Sequence, residues 1–406
     1  MSYEIREFYD AEQFYEYRKL FSYLYRTTLS DLQDPERFQA VWSSQPTAPE
    51  LIRLGAFDQG KLYAAAQLHR HKVHYDGKEL LMYGVGGVLS EYSKPYKGAM
   101  QQVFAEAFLR MKEQGACLSH LFPFSDDYYR QYGYEISSEK AIWEVPVSAI
   151  KKMGDGHFVL FDNSEKMKQE IVDIYRTFAA RQNLAVIRTD RDWEEFFEAH
   201  TAFAGNCYTF VSYTHAGADG FVSFRRQKEG DQRPNYHADA ICFKTYAGLR
   251  GLLAYFSTQT AYAENVFLEL PADIDLFPLL DSRIGNGMRH THRFVRNIGL
   301  SRVVCVEEML KAARYRGQGQ AVIRIVGDTY CPWNNDCFTV SFGDETTVTR
   351  GGQPDIEMDI GAFTAGILGR CDPYALTAFP SVKIFGSEDT LQKVFYRKPC
   401  WIGDKF

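Results

Sequence analysis

The chain has 406 residues, and its 45% hydrophobic and 24% charged residues are typical of a globular protein, which excludes a disordered or fibrous chain. At about 100–200 residues per domain, this length predicts two to four domains. The 46 lysines and arginines against 52 aspartates and glutamates give a net charge of −6. This mild acidity argues against a dedicated nucleic-acid-binding protein, because phosphate recognition favours a basic surface.

The sequence indicates neither a membrane protein nor a secreted one. No stretch approaches the roughly 20 apolar residues that cross a bilayer, and the charged N-terminus has no apolar signal-peptide core. The eight cysteines are dispersed, with no CxxC pair. In a chain of this length they indicate small core residues in a reducing compartment, not a disulfide framework. We therefore expect a cytoplasmic protein.

The first part of the chain, residues 1–148, has the pattern of a mixed α/β domain. An aromatic-rich helical pattern comes first, followed by three strand patterns that turn sequences separate. The predicted elements are a helix at Glu12–Arg26, strands at Leu51–Phe57, Lys61–His74 and Leu80–Leu89, a helix at Gly98–Lys112, a strand at Cys117–Phe124, a short helix from Asp126 and a strand pair within Ile136–Val147. This order predicts a mixed sheet and not a doubly wound parallel one.

The second part, residues 149–288, repeats a similar order of elements, and the third, residues 289–406, mixes strands with two helices. Predicted elements of the second part are strands at His157–Phe161, Thr209–Tyr213, Gly220–Arg225, Ala238–Phe243 and Asn265–Leu270, and helices at Lys166–Arg181, Asp192–His200 and Gly248–Ala261. Those of the third are strands at Arg302–Val306, Gln320–Val326, Cys337–Phe342, Glu345–Arg350 and Asp355–Ile360, and helices at Val306–Tyr315 and Ile360–Leu368. The predicted fold class is α+β, with a third domain behind two similar ones.

The most informative segment for chemistry runs from Tyr83 to Met100. A glycine-rich strand leads into a loop with Lys94 and Lys97, and Gly98 then opens a helix. Backbone N–H groups at a helix start form a cradle for anions, and the lysines add positive charge, so the segment suits a pyrophosphate. A loop before a helix is also common without any ligand, and no P-loop or GxGxxG pattern is present.

Several stretches resemble the Eis-type (enhanced intracellular survival) acetyltransferases of the GNAT superfamily, and the resemblance covers essentially the whole chain. These stretches are residues 84–88 before the loop, 121–124, 128–135 with its Tyr-x-x-Tyr-Gly-Tyr pattern, 358–363 and the C-terminal residues 399–406. The resemblance implies an N-terminal GNAT domain (1–148) that binds acetyl-CoA, a degenerate GNAT-like domain (149–288) without cofactor, and a sterol carrier protein-like domain (289–406).

The same resemblance implies transfer of an acetyl group from acetyl-CoA, as cosubstrate, to a primary amine. Tyr129 matches the family tyrosine that protonates the departing CoA thiolate, and Phe406 matches the chain-end carboxylate that takes the proton of the amine. An α-carboxylate is a weak base for an ammonium, so it acts through water or orients the cation by charge. The implied acetyl-CoA contacts are Val88, Leu89, Ser90, Tyr96, Lys97, Gly98, Ala99, Met100, Gln101, Phe124 and Ser125.

One departure from the family concerns the phosphate loop. Where the family carries arginines, this sequence reads Pro95, Tyr96 and Lys97, and Pro95 has no N–H to donate. Losing one or two charge-assisted contacts, at about 1.5–3 kcal/mol each, would weaken CoA binding by one or more orders of magnitude. The alternative is therefore a catalytically weakened binding or scaffold protein, and a lipid-carrier role for the last domain is a further one.

The acceptor stays open among aminoglycosides, polyamines and lysine side chains. Aromatic residues could line its cleft (Phe21, Tyr23, Tyr25 and Phe38), and nearby acids could attract a polyamine (Asp31, Asp34 and Glu36). Polar strand positions explain His69, His71 and His74 better than a metal site does. The expected partners are a small-molecule or peptide amine and other copies of the chain, a hexamer by resemblance, with no metal, nucleic acid or membrane.

Overall fold

The computed structural model describes residues 3–47, 49–91, 98–151, 157–201, 207–228, 233–281 and 290–406. The chain forms two compact units. The first consists of Met1–Ser137, Gly299–Lys398 and Lys405–Phe406, and the second of Ser138–Ile298 and Pro399–Asp404. The last two residues therefore belong to the same unit as the N-terminal part of the chain.

The N-terminal part of the first unit is a mixed sheet with helices on both faces. Its elements are β1 (Glu4–Glu7), α1 (Ala11–Leu24), α2 (Pro35–Ser43), β2 (Leu51–Asp58), β3 (Lys61–Tyr75), β4 (Lys78–Ser90), α3 (Ala99–Glu113), β5 (Leu118–Leu121), α4 (Asp126–Arg130) and the start of β6 (Glu135–Pro146). Strands β1 to β4 form an antiparallel meander, and β5 pairs parallel to β4. The apolar side of α3 packs on one face, and α1 with α2 packs on the other.

Two tight turns set the register of the meander. The β2–β3 turn has Gln59 and Gly60 at φ 50° and 78°, and the β3–β4 turn has Asp76 and Gly77 at φ 48° and 83°. Two-residue loops with both central residues at positive φ match the twist of paired strands. The turn signals in the sequence are therefore confirmed.

The second unit repeats the arrangement of a meander, a helix and a parallel strand. Its elements are β6, β7 (His157–Leu160), α5 (Glu165–Ala179), α6 (Asp190–Ala199), β8 (Cys207–Thr214), β9 (Gly217–Gln227), β10 (Asn235–Phe243), α7 (Tyr246–Ser257), β11 (Asn265–Pro271) and the N-terminal part of β12 (His292–Val303). Strands β7 to β10 are antiparallel neighbours, and β11 pairs parallel to β10. The predicted similarity in order between the two parts is visible in this topology.

The C-terminal part of the first unit is built on a second sheet, in the order β15-β14-β13-β16-β17. Its elements are α8 (Val306–Ala312), β13 (Gly319–Ile325), β14 (Cys337–Phe342), β15 (Thr347–Arg350), β16 (Ile356–Met358), α9 (Ile360–Ile367), α10 (Pro373–Leu376), β17 (Lys383–Ile384) and α11 (Glu388–Val394). A buried ion pair joins Arg302 to Asp328, and Arg302 also donates to the carbonyl of Tyr132. These contacts fix the second sheet against the N-terminal residues.

The mixed α+β class is confirmed, and the differences lie in single elements. The predicted strand pair within Ile136–Val147 is wrong, since one strand, Glu135–Pro146, covers it. The sequence analysis missed β1, α2, α10, α11, β17 and the first half of β12. In the described ranges, no helix is long and apolar enough to cross a membrane. The boundaries at 148 and 288 stay predictions.

Candidate active site

The site is centred on an open edge of β4. Strand β4 pairs with β3 along its length, but its pairing with β5 covers only Met82 to Gly84. In the described part of the chain, no strand pairs with that edge from Val85 to Ser90. The predicted residues Val88, Leu89 and Ser90 lie there. Backbone groups that point away from β3 here can therefore pair with an extended ligand that adds to the edge.

A β-bulge shapes this edge. The register between β3 and β4 shifts where Ala65 faces Leu89 and Gln67 faces Gly86, which leaves one extra residue on β4. Gly87 lies in this bulge at φ 53°, and a side chain there would overlap the Tyr17 hydroxyl. Only glycine accepts this conformation and this close approach.

The N-terminus of α3 supplies free backbone N–H groups. Gly98 is the N-cap, at φ 97°, and its carbonyl accepts the first helical hydrogen bond, from Gln102 N at 3.2 Å. The N–H groups of Ala99, Met100 and Gln101 precede that bond and have no acceptor within the helix. An anion is favoured at such a helix start. The predicted residues Tyr96 and Lys97, like Lys94 and Pro95, lie outside the described residues.

Tyr129 lies on the short helix α4, where it is 3% exposed. The Ser125 hydroxyl caps this helix by accepting from Tyr128 N, and the Phe124 ring lies 5.3 Å from the Tyr129 ring and is itself 69% exposed. Burial raises the pKa of Tyr129 well above its usual value, and the nearby hydroxyls of Tyr25, Tyr128 and Tyr134 raise it further. The phenol therefore keeps its proton at neutral pH and can act as a donor.

Tyr25 connects the aromatic cluster of α1 to the open edge. Its hydroxyl donates to the Val88 carbonyl at 3.3 Å, and its ring stacks on Phe21 at 4.4 Å. The sequence analysis placed Tyr25 only in an acceptor cleft. Its hydrogen bond to β4 spans 63 residues, so only the tertiary structure reveals it.

Phe406 lies on β4. Its ring occupies the space over Gly84, where a β-carbon would overlap it. Four side chains surround the ring, with centroid distances of 5.0 Å to His71, 5.1 Å to Phe122, 6.0 Å to His120 and 6.4 Å to His69. The carbonyl carbon and oxygen of Phe406 lie 3.6 Å from the position of a β-carbon on Gly86. Phe406 thus packs against the same strand that carries Val88, Leu89 and Ser90.

The residues before Lys405 are held within the second unit. Asn183 N donates to the Pro399 carbonyl at 3.0 Å, and Trp401 N donates back to the Asn183 carbonyl at 2.9 Å. The Asp404 carboxylate accepts from the Tyr175 hydroxyl at 2.8 Å and from Arg188 Nε at 2.6 Å. The C-terminal segment is therefore fixed by a hydrogen-bonded pair of backbones and a charge-assisted contact.

Two of the three acids proposed to attract a polyamine, Asp31 and Asp34, have structural partners. Asp31 accepts from two nitrogens of Arg18, and Asp34 caps α2 while it pairs with Arg37. Phe38 packs on Phe14 at 5.9 Å, within the core under α1 and α2. These side chains stabilise the α1–α2 region, and their charges are already balanced locally.

The equivalent helix start in the second unit is filled by the protein's own side chains. The Thr245 hydroxyl caps α7 by accepting from Ala247 N and Gly248 N, and Asp219 accepts from both the hydroxyl and the N–H of Thr245. A β-carbon on Gly248 would overlap Asp219. The Asp219 carboxylate therefore lies where a phosphate would approach the helix, which gives a physical reason for the prediction that this domain binds no cofactor.

Three histidines of β3 occupy two faces of the sheet. His69 and His71 share the face of Phe406, and His74 lies on the opposite face. Among the described residues, no group of three His, Cys, Asp or Glu side chains is arranged to hold a metal ion.

Comparison with known families assigns all three parts of the chain. Residues 4–137 match the acetyltransferase (GNAT) domain, residues 184–296 match a second acetyltransferase (GNAT) domain, and residues 306–403 match the sterol carrier protein domain. The chain is a tandem GNAT protein with a sterol carrier protein domain. Among the predicted site residues, only Phe406 lies outside the first GNAT match.

Solved structures share this three-part fold over their whole length. A protein from Enterococcus faecalis V583 described as a probable N-acyltransferase has a TM-score of 0.81 at 20% identity, with 100% of both chains covered. Eis1 from Mycobacterium abscessus has a TM-score of 0.81 at 18% identity, and a GCN5-related N-acetyltransferase from Anabaena variabilis ATCC 29413 has 0.82 at 15%; each covers 99% of this chain and 100% of its own. Comparison with curated proteins gives no match. At these identities the likeness establishes the fold of the tandem GNAT protein.

The position of the Phe406 ring over Gly84 can be tested with the substitution Gly84→Ala. We expect the added methyl group to displace the ring, so that carboxypeptidase Y releases Phe406 at least about tenfold faster, a loss of protection of roughly 1.4 kcal/mol. The matched control is Gly86→Ala, whose β-carbon would lie 3.5 Å from its nearest neighbour, an ordinary contact. Equal release rates in the two variants and the unchanged protein would contradict this position.

Proposed function

We propose that the protein is an acetyl-CoA-dependent N-acetyltransferase that acts on a primary amine. The observation that carries this proposal is the open edge of β4 beside the uncapped N-terminus of α3, both within the first GNAT match. An extended pantetheine fits the first feature, and a pyrophosphate fits the second. Together they provide for the two chemically distinct ends of one CoA molecule.

The strand edge supplies the first half of the cosubstrate site. The backbone groups of Val88, Leu89 and Ser90 that point away from β3 would bind the pantetheine amides as a neighbouring strand does, and one N–H among them would polarise the thioester carbonyl. These donors are held rigid by the pairing of β4 with β3. Phe124 and Ser125 lie on the loop that ends in α4, where they can flank the thioester end.

The start of α3 supplies the second half. The N–H groups of Ala99, Met100 and Gln101 would hold the pyrophosphate, and the positive end of the helix dipole strengthens the contact. We propose that Gly98 is required at the N-cap because its φ of 97° turns these donors toward the ligand. Lys97 and Tyr96, which precede it in the sequence, are proposed to add further contacts to the pyrophosphate.

The transfer step then needs one proton donor and one proton acceptor. The amine nitrogen attacks the thioester carbon, so that a C–N bond forms and the C–S bond breaks. An ammonium loses two protons overall: one balances the thiol of CoA, and the other is released. Tyr129 gives its proton to the departing thiolate and regains one from solvent; its raised pKa favours the return of the proton, and the donation depends on close contact with the thiolate.

Phe406, the last residue of this sequence, is the proposed acceptor. A carboxylate at its backbone end would lie beside Gly86, on the strand that binds the pantetheine. Its negative charge attracts and orients an ammonium, and it passes the proton on to water, since its basicity is too low to keep it. The proposed partners are a small-molecule or peptide amine and, by resemblance, other copies of the chain.

Tyr129→Phe tests the donor. We expect kcat for amine-dependent thiol release from acetyl-CoA to fall by about 100-fold or more, because only the phenolic proton is lost. Acetyl-CoA binding by isothermal titration should be unchanged. The control Tyr128→Phe removes a neighbouring hydroxyl, and it should retain activity; a similar loss in both variants would argue against the assignment.

The pH dependence of kcat gives an independent test. A donor must be protonated, and burial raises the pKa of Tyr129 above its usual value of 10. Raising this pKa extends the protonated range upward, so kcat should show no decline from loss of this proton below about pH 10. An activity that falls with a pKa near 8 or 9, and that does so only when Tyr129 is present, would contradict the shift.

Adding one glycine after Phe406 tests the acceptor. The extension moves the carboxylate away from Gly86, so kcat should fall at least about tenfold while acetyl-CoA affinity stays the same. Full activity of the extended chain would reject Phe406 as the acceptor. Absence of both acetyl-CoA binding and thiol release in the unchanged protein would instead favour the alternative of a binding or scaffold protein.

A further inference from the structure

The imidazole of His69 points into the same small space as the backbone end of Phe406. A β-carbon on Gly86 would lie 3.5 Å from His69 Nε2 and 3.6 Å from the carbonyl carbon and oxygen of Phe406. These two polar groups therefore lie at most about 7 Å apart, and Gly86 places no side chain between them. An amine nitrogen that rests on the Gly86 backbone between them can contact both.

His69 faces the backbone end of Phe406, whereas the other two histidines around Phe406 make other contacts. The His71 ring lies against the Phe406 ring, 5.0 Å between centroids, and so contributes to the seat of that ring. His120 is fully buried, and its Nδ1 is hydrogen-bonded to the Ser301 hydroxyl at 2.8 Å. The Nε2 of His69 is the imidazole nitrogen that faces the backbone end of Phe406 over Gly86.

The surroundings keep His69 uncharged at neutral pH. Burial above all, together with His71 on the same strand and Arg53 on β2, lowers the pKa of His69 to about 4. Phe406 faces it from the C-terminal segment, with 6.4 Å between the two ring centroids. A neutral imidazole does not repel a cationic amine, and it retains a nitrogen that can accept a proton.

We propose that His69 completes the acceptor-amine site: its Nε2 accepts a hydrogen bond from the attacking nitrogen and takes one of the protons that this nitrogen loses. This inference rests on the proposed function. Phe406 receives the first proton of the ammonium and passes it to water, and the nitrogen then attacks. In the tetrahedral adduct the nitrogen is more acidic than a free ammonium, so its second proton can pass to the imidazole. The imidazolium returns that proton to solvent, and Tyr129 protonates the thiolate.

The geometry also limits the acceptor. The attacking nitrogen must lie between His69 and Phe406 over the Gly86 backbone, so an unbranched primary amine enters more easily than a secondary or α-branched one. Spermidine and a lysine side chain present such an end, and kanamycin carries one on its aminomethyl group.

The experiment compares four variants in amine-dependent thiol release from acetyl-CoA, with spermidine, kanamycin and Nα-acetyl-lysine amide as probes. His69→Leu should lower kcat about 100-fold and leave the KM for acetyl-CoA within twofold. His69→Gln keeps a hydrogen-bond acceptor and should recover part of that loss. Gly86→Ala places a methyl group between His69 and the backbone end of Phe406 without displacing Phe406, so it should also lose activity. His74→Leu, on the other face of the same strand, is the control and should match the unchanged protein.

A pH profile separates proton transfer from a structural effect. The rate of His69→Leu should rise more steeply with pH than that of the unchanged protein, because solvent must then take the proton. A His69→Leu variant that turns over within twofold of the unchanged protein, or an equal loss in His74→Leu, would overturn the inference.

If the unchanged protein transfers acetyl to none of the amines, the proposed function fails, and a binding experiment decides the role of His69 separately. With ¹³C-labelled histidine, the His69 signal is assigned from the His69→Gln variant, and spermidine is added. A shift of this signal that is absent in Gly86→Ala supports an amine site, and no shift overturns it.

Discussion

The close approach of the Phe406 ring to the bare backbone of Gly84 is the contact on which the rest of the site depends. A side chain on Gly84 would occupy the space of the ring, and the ring in turn fixes where the backbone end of Phe406 lies. The ring is buried against histidine and phenylalanine side chains, which provide apolar surface and defined orientation. Because packing of this kind is sensitive to a single methyl group, the geometry of the site is set by a glycine.

Strand β4 combines several tasks within a few residues. Gly84 receives the ring of Phe406, Gly86 leaves room beside His69, and Gly87 makes the bulge that carries Val88 to the open edge. A strand that only stabilised a sheet would carry β-branched residues at such positions. The glycines weaken the strand as a structural element, and they bring its backbone within reach of other groups.

The two GNAT domains show how one topology can gain or lose a ligand site. In the first, the N–H groups of Ala99, Met100 and Gln101 have no acceptor within α3, and residues 91–98 separate β4 from α3. In the second, Thr245 and Asp219 satisfy the start of α7, and only Lys244 and Thr245 separate β10 from α7. In the second domain an internal carboxylate thus takes the position that we propose for an external anion in the first, and the fold is kept with a much shorter connection.

The sequence by itself determined the local elements and the chemistry of single residues. Hydrophobic periodicity and glycine-containing turns located the β2–β3–β4 meander, α3 and α5 because these signals depend on neighbours in the chain. The Tyr-x-x-Tyr-Gly-Tyr pattern singled out Tyr129 through resemblance. The sequence analysis missed short elements such as β17 and α10, because four residues or fewer carry almost no periodic signal.

Only the tertiary structure decided which distant residues meet. It grouped the C-terminal sheet with the N-terminal residues and packed Phe406 against a strand more than 300 residues away. It showed that His69, which the sequence indicates only as a polar strand position, lies beside Phe406. It also assigned Asp31 and Asp34 to local ion pairs and caps. The physical reason is the same in each case: a sequence pattern reports which face a side chain takes, whereas its partner across that face is set by packing between elements far apart in the chain.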